Sequence, residues 1–169
     1  MAKANNFGRF KKVSDAPPRR MIVASWGREK SGKNHLGLTA PGPIFGQYFD
    51  PGGLEGMVEK FLAEGKEVLS VDYRFNKRND DQKDAKAVKA QFIEDYADAL
   101  KFARLIQWDE AEFWEACRFA EFGRESAKGR EYGPLNGEYR GLIQEAYDAG
   151  VNLHLIQKYL DICRSKVNT

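Results

Sequence analysis

Five short apolar runs, separated by stretches with helical spacing, constrain this chain more than any other feature of it. They cover residues 21–26, 44–49, 68–75, 103–109 and 151–156. A run of roughly four to eight apolar residues bounded by turn formers suits a buried strand. Residues 33–38 open a short helix before the breaker Thr39, Ala40, Pro41, Gly42, Pro43. Residues 54–63 place Leu54, Met57, Val58, Phe61 and Leu62 on one helical face and stop at Gly65. Residues 85–102 repeat the pattern with Val88, Phe92, Ile93, Tyr96 and Leu100. Residues 110–122 and 135–149 read as two further helices, the last closed by Gly150. Charged residues 76–84 and the glycine-rich, basic stretch 123–134 read as loops. Strands alternating with helices in this way predict an α/β fold: three layers around a mainly parallel sheet of about five strands.

At 169 residues the chain suits one domain with a single buried core. Residues 1–20 have few apolar positions and end in Pro17, Pro18, Arg19, Arg20, so they read as a basic flexible arm ahead of a domain over 21–169. The arm has no apolar stretch of the kind a secretory signal needs. No run approaches the roughly 18 apolar residues of a membrane span. Cys117 and Cys163 are far apart and the chain has two histidines, which argues against structural zinc or a disulfide framework and for a reducing cytoplasm. Charge is unevenly spread: residues 1–49 hold nine Lys/Arg against Asp15 and Glu29, a balance of +7, leaving −5 for the rest. A basic first third suits contact with nucleic acid or the holding of a nucleotide triphosphate, and charge alone does not choose between them.

The first run leads directly into Gly27, Arg28, Glu29, Lys30, Ser31, Gly32, Lys33, Asn34. This matches the Walker A pattern G-x-x-x-x-G-K-[ST] at every defined position but the last. In such a P-loop, glycines let backbone N–H groups curl around phosphate and the lysine reaches the β/γ oxygens. A strand before the loop and a helix after it are the context the pattern requires; without that context it is a glycine turn with an incidental lysine. The final hydroxyl of the pattern ligates Mg²⁺. Asn34 offers a neutral, longer amide instead, so phosphate binding survives the change better than metal-dependent hydrolysis. Arg28 and Lys30 add positive charge to the loop, or are solvated side chains.

The second half of a nucleotide site is an acid closing another buried strand, where it holds Mg²⁺ directly or through water. Asp109 meets that description after Leu105, Ile106 and Trp108, although Gln107 interrupts the apolar run. Asp109 is also placed to cap the helix that begins at Glu110. Hydrolysis needs a carboxylate to orient or deprotonate water. Asp50, Glu55 and Glu110 are the candidates, each with a plainer reading as a turn residue or a first-turn helix acid. Gln157, beyond the fifth run, is a candidate sensor of the γ-phosphate or a surface amide.

With these residues in view, the chain resembles a family of phage-encoded ATP-binding proteins with a RecA-like core, associated with single-strand annealing and recombination. The likeness rests on the loop through Gly42-Pro43-Ile44, on Phe49-Asp50-Pro51-Gly52-Gly53-Leu54-Glu55-Gly56, and on Trp108-Asp109. It continues through Trp114-Glu115, Arg118-Phe119-Ala120-Glu121-Phe122-Gly123, Leu135-Asn136-Gly137-Glu138-Tyr139-Arg140 and Asn152-Leu153, spanning about residues 21–160. It implies a RecA-like P-loop NTPase, ATP and Mg²⁺ held at Lys33 and Asp109, work on single-stranded DNA, and self-assembly into a homo-oligomer. A phage origin implies the cytoplasm of a bacterial host. The chain departs from the family at Asn34, and little sequence follows the fifth run.

Two segments offer DNA contacts. Arg124, Lys128, Arg130 and Tyr132 combine cations for phosphates with an aromatic for base stacking. The arm adds Lys3, Arg9, Lys11, Lys12, Arg19 and Arg20, while Phe7 and Phe10 suit docking on a neighbouring subunit. A charged, solvated surface is the plainer reading of both. Phe113, Trp114, Phe119 and Phe122 read as core. A non-catalytic nucleotide-binding or assembly module is the alternative to an ATPase. A small kinase is disfavoured because no arginine-rich lid is recognisable.

Overall fold

The computed structural model describes residues 20–49, 52–75 and 82–158. Its elements follow in chain order: β1 (Ile22–Gly27), α1 (Lys33–Leu38), β2 (Ile44–Tyr48), α2 (Glu59–Ala63), β3 (Val68–Asp72), α3 (Gln82–Ala99), β4 (Leu105–Asp109), α4 (Glu110–Phe122), a 3₁₀ turn (Gly129–Glu131), α5 (Tyr132–Ala149) and β5 (Asn152–Lys158). The five strands form one wholly parallel sheet in the order β1-β5-β4-β2-β3. Parallel pairing needs a crossover between strands, and the helices supply it. The α/β architecture expected from the alternating runs is therefore present. No helix among the described residues is long and apolar enough to cross a membrane.

Side chains alternate across the sheet and bury two separate clusters. Under α1 and α2 lie Leu38, Ile44, Tyr48, Leu54, Phe61, Leu105 and Ile156. Under α3, α4 and α5 lies a larger aromatic cluster centred on Phe92, which is fully buried. The Phe92 ring stacks on Phe113 at 4.1 Å and meets Trp108 edge-on at 5.7 Å. β4 lies in mid-sheet with both faces covered, and all five of its residues are buried. Lys66 closes the other end of the α1 layer by donating to the carbonyls of Leu38 and Ala40 at 2.7 and 3.2 Å.

Several expectations are corrected. The first run is an edge strand, not a buried one: among the described residues β1 pairs with β5 alone, and Trp26 is 67% exposed. The helix expected over 54–63 begins at Glu59, because Gly56 takes a left-handed conformation (φ 70°) that breaks the preceding turns. Leu54 still points inward as an anchor. The loop expected over 123–134 contains the 3₁₀ turn, and α5 begins at Tyr132. Pro134 sits in its first turn, where a missing N–H breaks no helical bond. β5 runs on to Lys158, so Gln157 lies on the strand and not beyond it. The aromatic expectation holds for Phe113 and Phe119, while Trp114 and Phe122 are half-buried at the core's margin.

Candidate functional site

Register sets the C-terminal ends of the strands side by side. Gly27 pairs with Lys158, and Asp109 with Ile156. Crevices at this edge of an open parallel sheet are where such folds bind ligands. Residues 28–32 leave β1 in a tight turn. Lys30 (φ 59°) and Gly32 (φ 85°) both take left-handed backbone, and a Cβ at Gly27 would fall 2.4 Å from Ser31 Oγ. Gly32 takes the left-handed backbone without strain and Gly27 leaves room for the Ser31 side chain, and successive backbone N–H groups in such a conformation form an anion-receptive concavity. Lys33 Nζ donates to the carbonyls of Gly27 and Arg28 at 2.8 and 2.7 Å, which holds the cation across the loop.

Asn34 follows on α1. Its Nδ2 donates to the Gly53 carbonyl at 2.9 Å, tying the loop helix to the turn after β2. That turn is built by Gly52 (φ 77°) and the bond from Glu55 N–H to the Gly52 carbonyl at 2.9 Å. One cavity of about 710 Å³ joins the two segments; its walls include Lys30, Ser31, Gly32, Lys33, Asn34 and Glu55, with Ile156 and Lys158 from β5. Arg28 lies on the exposed side of the loop, outside this cavity. Asp50 falls outside the described residues.

Asp109 is buried at the end of β4. It occupies the N-cap position of α4 but makes no capping hydrogen bond there; instead Oδ2 accepts from the backbone N–H of Phe49 at 3.0 Å. The carboxylate therefore bridges the ends of β4 and β2. Glu110 is also buried: Tyr139 OH donates to one oxygen and Gln157 Nε2 to the other. Burial, then the hydrogen bond to Glu110 and its charge, raises the Tyr139 phenol above its ordinary range, so it stays a donor. Glu110 is thus a carboxylate fixed by two partners, one from α5 and one from β5. Gln157 reaches this acid and does not line the cavity.

The candidate nucleic-acid residues separate. Arg124 pairs with Glu131, with its guanidinium over the Phe122 ring at 5.2 Å. The Lys128 backbone N–H and then Arg124 hold the Glu131 carboxyl below its usual range. The side chains of Lys128 and Arg130 are exposed, and Tyr132 lines a groove of about 440 Å³ with Trp114, Arg118 and Asn136. Arg124 therefore shapes the loop, while the other three face outward. No group of three or more His, Cys, Asp or Glu able to hold a metal occurs among the described residues.

Sequence reading missed four contributors. Lys158, paired with Glu112, stands beside Gly27 at the cavity wall. Tyr139 appeared only inside a segment of resemblance, with no role attached. Ser25 and His154 drew no attention, because a hydroxyl or imidazole within an apolar run has no meaning until its neighbours are known. Gln107 was the one visible signal, an amide where the run should be apolar. No protein-family model matches this chain, and no curated protein is significantly similar to it.

Proposed function

We propose that this chain is a RecA-like P-loop protein that binds ATP with Mg²⁺ and assists phage DNA recombination or repair on single-stranded DNA, with weak ATP hydrolysis. The observation that carries the reading is the shared cavity: a left-handed loop, a lysine held across it and the Glu55 segment line one space at the C-terminal edge of a parallel sheet. Its two sides come from segments far apart in sequence.

The donor set fits a metal brought in with a nucleotide. Mg²⁺ is commonly held by one or two protein oxygens together with phosphates and water, and no all-protein cage is required. Asn34 lines the cavity and would hold the ion through its amide oxygen, while Asp109, buried and outside the cavity lining, would hold it through water; bound there, the ion would neutralise charge on the phosphates. Lys33 would bind the β/γ oxygens once its loop carbonyls release it. Glu55, which lines the cavity, and Glu110, which is buried outside its lining and positioned by Tyr139 and Gln157, are the candidates to orient water. Lys128, Arg130 and Tyr132 are the residues for single-stranded DNA. Self-assembly is part of the proposal on resemblance alone.

Lys33→Ala should abolish Mg²⁺–ATP binding in calorimetry while the unfolding midpoint stays put; unchanged binding would sink the reading. A non-catalytic module is the second reading, favoured by one contact: the Asn34 amide is engaged by Gly53, where a hydroxyl would face the metal. Turnover assays with and without single-stranded DNA separate the two. ATP binding without turnover in either condition selects the module.

A further inference from the structure

Beneath α1, four side chains from four adjacent strands form one unbroken hydrogen-bonded row. It starts at Ser25 on β1, crosses His154 on β5 and Gln107 on β4, and ends at Tyr48 on β2. Ser25 Oγ lies 2.8 Å from His154 Nε2, His154 Nδ1 lies 3.0 Å from Gln107 Oε1, and Gln107 Nε2 lies 2.6 Å from the Tyr48 hydroxyl. His154, Gln107 and Tyr48 are all buried. At the usual spacing between strands the row is about 14 Å long.

The chemistry gives the row a direction. An amide oxygen only accepts, so His154 carries its proton on Nδ1. Nε2 is then an acceptor, and the Ser25 hydroxyl must donate to it. The Gln107 amide nitrogen donates onward to Tyr48, with a longer approach of 3.5 Å to the Asn34 carbonyl. Burial lowers the His154 pKa and favours the same neutral ring.

Helix α1 rests on this row. A Cβ on Gly37 would fall 1.5 Å from Gln107 Oε1 and 2.7 Å from His154 Nδ1, so only glycine lets the helix settle there. At the far end the Tyr48 phenol sits in the fields of Asp109 and Asp72. The row therefore touches the strand before the loop, the helix after it and the strand ends that carry the acids. Apolar side chains would fill this space without needing partners, whereas a hydrogen-bonded row has one register in which every link is made.

We propose that Ser25, His154, Gln107 and Tyr48 are positioning residues that set the loop helix against the Asp109 strand end, so that nucleotide affinity depends on an intact row. The inference rests on the P-loop reading of residues 27–34. Its test uses the full chain with Ser25→Ala, Tyr48→Phe and the double variant, reading Mg²⁺–ATP affinity by calorimetry and amide exchange at Leu36, Gly37 and Leu38. Substitutions this far apart normally act independently. Each single change should weaken binding about tenfold, the scale of one buried hydrogen bond. The double should be no worse than about tenfold, with α1 exchange accelerated to match, and Ser25→Thr should bind as the parent does. Nitrogen NMR of the parent should show His154 with Nδ1 protonated. A loss of about a hundredfold in the double, single variants that bind as tightly as the parent, or a proton on Nε2 would each overturn the proposal. If the parent itself binds no ATP, the P-loop reading fails and α1 exchange alone decides: non-additive acceleration retains the positioning role, and unchanged exchange removes it.

Discussion

The two faces of this sheet are buried by different means. On the α3–α5 side, large rings fill the space: Phe92, Tyr96, Trp108 and Phe113 are all within 2% of full burial and touch one another. On the α1–α2 side, the central strands carry a hydrogen-bonded row that ends on a single ring, Tyr48, and a glycine of α1 lies directly on it. Each face holds one buried glutamine. Gln47 donates to the Tyr73 hydroxyl and the Phe92 carbonyl, and its Oε1 has no partner. Both Gln107 amide atoms are engaged, and they join neighbours on either side. One face is held by volume, the other by direction.

The sharpest way to break the contrast is Phe92→Ala. Loss of a fully buried ring at the centre of a cluster should destabilise the fold by about 3–5 kcal/mol in denaturant unfolding. The protein that remains folded should keep the Mg²⁺–ATP affinity proposed for the parent. Gly37→Ala reverses the pattern. Forcing a methyl into Gln107 should cost about 1–3 kcal/mol, with ATP affinity falling alongside stability.

The paired glutamines sharpen the comparison further. Gln107→Met strands the buried His154 donor and should cost about 1–2 kcal/mol. Gln47→Met removes an amide that already has an unpaired oxygen, while Tyr73 keeps Asp95 at 2.9 Å; a change below about 1 kcal/mol is expected. Equal losses from the two would dissolve the distinction between the faces.

The smallest effect is in pH. Burial lowers the His154 pKa below its ordinary 6.5. Protons then bind the unfolded state more readily, so stability is full above that value, declines as pH falls through 6.5, and levels off below the folded-state pKa. Unfolding midpoints measured across that range should show the decline, and His154→Gln should flatten it. The aromatic face contributes no histidine to this effect.

Much of the architecture was legible because hydrophobic spacing is a local property. α1 and α4 begin and end where their spacing and flanking residues place them, and all five strands start within two residues of the apolar runs. Errors arose where backbone conformation outweighed side-chain pattern. Leu54 and Met57 have helical spacing, yet Gly56 turns the chain between them. Tyr132, Gly133 and Pro134 look like a loop, yet they form the first turn of α5. Edge position was not legible either, since β1 is as apolar as a central strand and only pairing reveals which strand lacks a second neighbour.

The candidate site divides in the same way. The loop, its lysine and the acids closing the fourth run were visible as residue types at required spacings. Their partners were not, because Tyr139, Gln157 and Glu110 meet through side chains from three different elements.

By itself the sequence determined the alternation of strands and helices, the tight turn at Gly27 to Gly32 and the presence of a lysine there. These follow from local periodicity and from backbone conformations that glycine permits. Only the tertiary structure decided that Asp109 reaches across to Phe49, that Asn34 is tied to Gly53, and that Gln107 is a link and not a flaw. Hydrogen bonds between strands depend on strand order and register, and the β1-β5-β4-β2 neighbourhood that joins Ser25 to Tyr48 exists only once the sheet has formed.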